Sequence, residues 1–215
     1  MKTSEHILYG TRGSGAAAVE MALVQAGLPF RKVDAASWED NADRAELGRV
    51  NPLLQIPTLV LPDGSIMTES AAILIHLGLA HPHSGLLPAE AGARAQSIRG
   101  LVYLAANCYA AIGLIDYPER WTEAPDDATG ERIRAGTRKR LHYLWDVFAD
   151  TFPATPYLAG ASSGALDLLA AVVSRWSGAR AHLVASRPGF SALVERIERD
   201  PRFVPVFAAY WPAKA

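Results

Sequence analysis

Apolar positions fall into two regimes along the chain, and the change comes near residue 81. Before it, short apolar runs alternate with helical spacings. Ile7-Leu8-Tyr9 is a brief apolar run closed by Gly10 and predicts a buried strand. Val19, Ala22, Leu23 and Ala26 recur at helical spacing, and Gly27 stops the helix. Phe30-Arg31-Lys32-Val33-Asp34 alternates as a strand does. Asp40 to Val50 reads as a short polar helix. Thr58 to Leu61 and Ser65 to Met67 form a hairpin around Pro62-Asp63-Gly64, whose residues suit a tight turn. Ala71 to Ala80 is an apolar helix. Strand, helix, strand, helix, two strands and a helix predict one right-handed crossover and a mixed sheet completed by the hairpin.

His81-Pro82-His83-Ser84-Gly85-Leu86-Leu87-Pro88 is dense in chain breakers and reads as a linker. Everything beyond it has helical spacing: Ala89 to about Ala111, Asp126 to Thr151, Ala165 to about Arg180, Gly189 to Arg199, and a last turn after Pro201. Within Glu131 to Phe152, Ile133, Leu141, Leu144, Val147 and Phe148 share one face, and the arginines lie outside it. Trp145, Trp176 and Trp211 read as packing residues.

Composition narrows the function classes. Half of the 215 residues are hydrophobic, a fifth are charged and the net charge is −1. No basic run or stripe offers a grip on nucleic acid or on a membrane surface. The opening Met1-Lys2-Thr3-Ser4-Glu5-His6 lacks a secretory pattern, and the apolar runs read as shorter than a membrane span. The single cysteine, Cys108, excludes an intrachain disulfide and a Cys-x-x-Cys redox pair; it reads as an inert buried thiol. The six histidines share no metal-ligand spacing, so no metal is assigned. A cytoplasmic location is the expectation.

The most informative stretch is Val50-Asn51-Pro52-Leu53-Leu54-Gln55-Ile56-Pro57-Thr58-Leu59-Val60, with Asp63-Gly64 and then Thr68-Glu69-Ser70-Ala71-Ala72. Strand interiors exclude proline, so Pro57 belongs at the entry to its strand. A proline there can be cis, with the peptide groups before it turned to solvent as an edge for another peptide. Glu69 and Ser70 begin a helix, where free N–H groups and the dipole attract a carboxylate. An extended edge beside an anion seat suits a small peptide that carries free carboxylates. As plain structure, the same residues serve as a strand-starting proline and helix caps.

This ordered set resembles the glutathione transferase family. That family's form is Asn-Pro-x-Gly-Gln-Val-Pro, a short strand, Asp-Gly, a second strand, then Glu-Ser-x-Ala-Ile; here stand Asn51-Pro52-Leu53-Leu54-Gln55-Ile56-Pro57 and Glu69-Ser70-Ala71-Ala72-Ile73. The likeness extends back through Leu8-Tyr9 to Gly27-Leu28-Pro29-Phe30 and, more loosely, over the helical remainder. It implies an α/β thioredoxin-like N-terminal domain (residues 1–82), a linker (83–88) and an all-α C-terminal domain (89–215) that forms an electrophile pocket. It also implies a homodimer that takes glutathione as co-substrate and joins its thiol to a hydrophobic electrophile.

By the same resemblance, the Ile56 backbone meets the cysteinyl amide of glutathione while Pro57 holds the turn. Ser70 and Glu69 take the γ-glutamyl end, and Gln55 reaches the backbone or the glycyl end. Leu53 and Leu54 depart from the family pattern, which has a polar residue or lysine and then glycine. A local cationic clamp on the glycyl carboxylate is therefore missing; Arg12 and Arg49 are the substitutes within the sequence. In the helical half the family pattern at Gly164 is Ser or Thr as helix cap with aspartate three residues on. Asp167 is present but the cap is glycine, which predicts loss of the reciprocal capping box.

The reacting thiol needs help. A free thiol near pKa 8.5 is mostly protonated at neutral pH, and a shift of about two units needs roughly 2.7 kcal/mol. Tyr9-Gly10-Thr11-Arg12-Gly13-Ser14-Gly15 leads into a helix N-terminus that supplies part of it. The tyrosine-type classes carry their tyrosine where this chain has Leu8, so Tyr9 is one residue off and faces the other side of its strand. The beta class carries cysteine where this chain has Gly15. Arg12-Gly13-Ser14 resembles the Pro-Gly-Ser of the delta and theta classes, which implies Ser14 as the hydroxyl donor to the thiolate, with Thr11 the next candidate and Arg12 adding positive potential; Ser14 also serves as a helix cap and Arg12 as a solvated loop charge. Tyr103, Asn107, Tyr109, Tyr117 and Trp121 are candidates for the electrophile pocket, or for plain helix packing. Competing functions are a non-catalytic glutathione or apolar-ligand binder, and a glutathione-dependent peroxidase, dehalogenase or ether-cleaving enzyme.

Overall fold

The computed structural model describes residues 5–36, 42–123 and 126–213. The opening Met1–Ser4 segment and the expected helix start at Asp40 lie outside the described residues. In the first part, β1 (His6–Gly10), α1 (Ala16–Gln25), β2 (Phe30–Asp34), α2 (Ala42–Val50), β3 (Thr58–Val60), β4 (Ile66–Met67) and α3 (Ser70–Ala80) follow one another. The sheet order is β2-β1-β3-β4, with β1 and β2 parallel and the other pairings antiparallel. This is the thioredoxin-like arrangement expected from the sequence. The hairpin turn closes through Leu61 N–H to Ser65 O at 2.8 Å, and Asp63 accepts the Ser65 N–H at 2.9 Å.

Strand alternation sorts the apolar side chains between two cores. Leu8 enters the main core beneath α1 and α3. Tyr9 enters a smaller cluster with Val33, Ala35 and Leu47 on the opposite face. There its hydroxyl donates to Glu46 at 2.6 Å, and burial pushes the phenol up to about 12.

The second part is helical. A continuous run comprises α4 (Ala91–Tyr103), a π-helical turn (Leu104–Tyr109) and α5 (Ala110–Asp116). It ends five residues past the expected Ala111. One correction follows: Ala91–Asp116 is long and apolar enough, by length and composition, to cross a membrane. Here it packs Leu101, Leu104, Cys108, Ile112 and Ile115 into the core.

Next come α6 (Asp127–Thr151), α7 (Ala165–Val173), α8 (Ala179–Ser186), α9 (Pro188–Glu198) and α10 (Val204–Tyr210). Leu141, Leu144 and Phe148 of α6 face inward as expected, with Trp145 beside them; Ile133 and Val147 are half-buried. The helix expected from Ala165 to Arg180 is two helices. Ser177 and Gly178 have φ of 56° and 78°, which breaks the helical path and starts α8.

Asp167 corrects the capping expectation in part. Glycine has no side chain to accept the amide at the third position of α7, so that half of the box is absent. The other half is present: Asp167 accepts the Gly164 N–H at 2.9 Å, and also Leu158 N–H at 2.8 Å and Ala159 N–H at 3.3 Å. Glycine is required there by crowding, because a Cβ on Gly164 would stand 2.8 Å from the Leu86 carbonyl oxygen. The linker thus lies directly on the start of α7, where Ala165 N–H also reaches Leu86 O at 2.8 Å.

The main core is one body. It runs from Leu8 and the Ala16–Leu23 face of α1, through Leu86 and Leu87, to α7 and the aromatic cluster of Trp145 and Phe148. Each fully buried leucine in it contributes about 1.5–3 kcal/mol.

Candidate functional site

Register places three loops at one end of the sheet. In the antiparallel pair, Leu8 faces Leu59 and Tyr9 faces Thr58, so the chain leaving β1 and the chain entering β3 lie together. Leu59 also faces Met67, which puts the exit of β4 at the same end. Thr11–Ser14, Ile56–Pro57 and Glu69–Ser70 therefore sit side by side.

The loop before β3 is fixed by Asn51. This side chain is buried, donates to Gln55 O and to Thr58 Oγ1, each at 3.0 Å, and accepts the Leu53 N–H at 3.1 Å. Thr58 Oγ1 donates to Gln55 O at 2.8 Å. These bonds absorb the polar groups on both sides of Ile56, and the Ile56–Pro57 peptide is cis. Among the described residues, no backbone hydrogen bond uses the Ile56 N–H or C=O. The edge is open to an incoming peptide. In the sequence this role has no signal beyond an asparagine seven positions before Thr58.

Two side-chain-bearing residues of this loop end have positive φ. Leu54, where the family pattern has glycine, has φ 55°. Glu69 has φ 64° and ψ 108°, outside the ordinary regions for a side-chain-bearing residue. Such a conformation costs about 1–3 kcal/mol and persists where the surroundings impose it. It turns the chain so that Ser70, buried, opens α3 with its free N–H groups toward the loops. Gln55 is exposed.

The loop after β1 is a closed knot. Ser14 Oγ donates to Thr11 O at 2.6 Å and accepts the amides of Thr11 at 3.3 Å and Ala16 at 3.4 Å. The Ser14 proton is thus committed within the loop. Thr11 is half-buried and Arg12 exposed. Both line a cavity of about 240 Å³ with Gly10, Lys32, Asp34, Ala209 and Tyr210, on the β2 side of the loop.

The five expected pocket residues scatter. Tyr103 donates to Leu144 O at 3.0 Å and packs on Phe148 and Phe152, inside the helical core. Asn107 donates back to Tyr103 O at 3.1 Å. Tyr117 stacks under Arg120, and Trp121 is largely exposed. Tyr109 meets the loop at the start of α1: a Cβ built on Gly15 would lie 2.3 Å from its hydroxyl oxygen. Its ring rests on Trp176, centroids 5.5 Å apart. Cys108 beside it is fully buried, and burial pushes the thiol up to about 12.

A family model describing the glutathione S-transferase N-terminal domain matches residues 16–79. An uncharacterized GST-like protein of Escherichia coli K12, YncG, is 32% identical over 198 residues, covering 91% of this chain and 93% of its own. The chain belongs to the glutathione transferase family.

Solved structures agree in fold. A glutathione transferase homolog from Sulfitobacter with bound glutathione superposes with a TM-score of 0.83 at 24% identity, covering 95% of this chain and 97% of its own. A sphingomonad glutathione S-transferase complexed with glutathione gives 0.77 at 25% identity, covering 96% and 100%. In this glutathione transferase family member the Tyr109 hydroxyl fills the side-chain space at Gly15.

Proposed function

We propose that this glutathione transferase family member binds glutathione on the open Ile56 edge and adds its thiolate to a hydrophobic electrophile. One observation carries the reading: the unpaired Ile56 backbone lies at the same sheet end as the Ser70 helix start. The cysteinyl amide pairs with Ile56, which Pro57 and Gln55 flank. The γ-glutamyl carboxylate meets Ser70 and the first N–H groups of α3, and Glu69 receives the ammonium. Sheltered charge-assisted hydrogen bonds of this kind contribute about 1.5–3 kcal/mol each. The α1 N-terminus, with Thr11 and Arg12 beside it, stabilises the thiolate. A homodimer with the sheet part (1–82) and helical part (89–215) as its two domains completes the proposal.

Calorimetry with glutathione on the wild type and on Ser70→Ala tests the binding half. We expect saturable binding, weakened about tenfold or more in the variant. No binding at millimolar glutathione would end the reading. Turnover of aryl halides and peroxides then tests the chemistry.

A second reading, a glutathione binder without turnover, is favoured by one observation: the Ser14 proton is already held by Thr11 O. Saturable binding with no turnover of any electrophile would support it.

A further inference from the structure

We infer that Tyr109, reaching across from the helical part, is the hydroxyl donor that meets the glutathione sulfur at the start of α1. The inference rests on the glutathione-binding reading above and adds to it a catalytic residue outside the β1–α1 loop.

Position is the first support. The Tyr109 oxygen stands 2.3 Å, and its Cζ 3.2 Å, from where a Cβ at residue 15 would begin. The phenol therefore fills the space into which a side chain at the α1 N-terminus would project. In that reading Ile56 holds the cysteinyl amide and Ser70 the γ-glutamyl carboxylate in neighbouring loops, and the cysteinyl thiol then faces that N-terminus. The Glu69 carboxylate acts electrostatically on the Tyr109 phenol.

Local structure explains how a helical-part residue arrives there. Tyr109 closes the π-helical turn Leu104–Tyr109. A π turn inserts an extra residue and rotates the side chains that follow, and such turns are frequent at functional sites. The Trp176 ring then braces the phenol.

Chemistry is the third support. The Ser14 hydroxyl already spends its one hydrogen-bond donation on Thr11 O. The Gly15 backbone amide beside the phenol oxygen lowers the phenol's pKa, as a donor to that oxygen does, which leaves the phenol's own proton free to donate. Burial, then the charges of Asp116 and Glu69, hold the phenol well above its ordinary pKa, so it stays protonated at neutral pH. The group is a neutral donor and not a base. The glutathione thiol loses its proton to solvent, and Tyr109 keeps its own while sharing it with the sulfur anion.

The test is ultraviolet titration of the thiolate in the glutathione complex of wild type, Tyr109→Phe and Thr11→Ala, with affinity measured in parallel. Phenylalanine keeps the contact with Trp176 and removes only the oxygen. We expect Tyr109→Phe to bind glutathione nearly as well, and to raise the bound thiol pKa by about one to two units. Turnover at neutral pH should fall about tenfold or more, and recover as pH rises. An unchanged thiol pKa in Tyr109→Phe, beside a lowered one in the wild type, overturns the assignment and leaves the glutathione reading standing. Wild-type protein that binds no glutathione, or binds it with an unshifted thiol, removes the thiolate chemistry and the Tyr109 assignment with it.

Discussion

Ser14 Oγ and the Thr11 carbonyl oxygen lie 2.6 Å apart, closing the loop that connects β1 to α1. The same oxygen collects two backbone amides, so Ser14 acts as the cap of α1 in fact if not at the formal cap position. Ser14→Ala should cost about 1 kcal/mol of stability, while Thr11→Ala should stay within about 0.5 kcal/mol. Urea unfolding of both variants checks this. Equal losses would mean that the knot is not what holds the loop.

Leu54 gives a prediction that runs against side-chain size. Its φ of 55° favours glycine, yet its side chain is half-buried against the Tyr9 cluster. Leu54→Ala loses the packing and keeps the backbone penalty. Leu54→Gly loses the packing but relieves a left-handed conformation worth about 1–2 kcal/mol. Thermal unfolding should therefore rank Leu54→Gly above Leu54→Ala. The reverse order would show that the backbone at 54 is not under strain.

Restoring the family's cap should fail. Gly164→Ser supplies the missing hydroxyl, but its Cβ would stand 2.8 Å from both the Leu86 carbonyl oxygen and Ala159 Cβ. Overpacking against backbone costs about 1–3 kcal/mol, more than a new cap returns. A lower denaturation midpoint is the expected result; a higher one would mean that the linker yields freely.

Asp167 sets a pH dependence. Burial raises its carboxyl from 3.8 to about 6, although the amides of Gly164, Leu158 and Ala159 pull the other way. The folded chain then holds a proton that the unfolded chain has released between those two values. This group's contribution is complete below about pH 4 and declines as pH climbs through about 6, by roughly 3 kcal/mol in all. Measured against Asp167→Asn, which does not titrate, the wild type should lose relative stability over that window. A constant difference between the two from pH 4 to 7 would refute the raised carboxyl.

What could be read beforehand was what short-range pattern encodes. Period-two alternation separated Leu8 from Tyr9, and proline chemistry located the entry to β3 and its open edge. The ordered Asn-Pro, Asp-Gly and Glu-Ser signals located the loop end of the sheet. Hidden features depend on tertiary contact. Nothing in Leu104–Tyr109 announces a π turn, because an added residue per turn is set by what the helix packs against. Gly164 looked like a lost cap because crowding by Leu86 comes from a segment almost eighty positions away. The break at Ser177 is hidden because serine rarely takes the positive φ that ends the expected helix there, and only the neighbouring Gly178 hints at it. Tyr109 was legible as an aromatic near the site, but not as a partner of Gly15.

The run of alanines that opens α1 has a wider consequence. Ala16, Ala17 and Ala18 are fully buried with methyl side chains only, and α1 packs against α7 of the helical part. Neither half can be exchanged as a cassette. Splicing the leading unit onto a foreign bundle would demand a recipient surface contoured to the same shallow relief, and a truncated fragment would present bare hydrocarbon to water and precipitate.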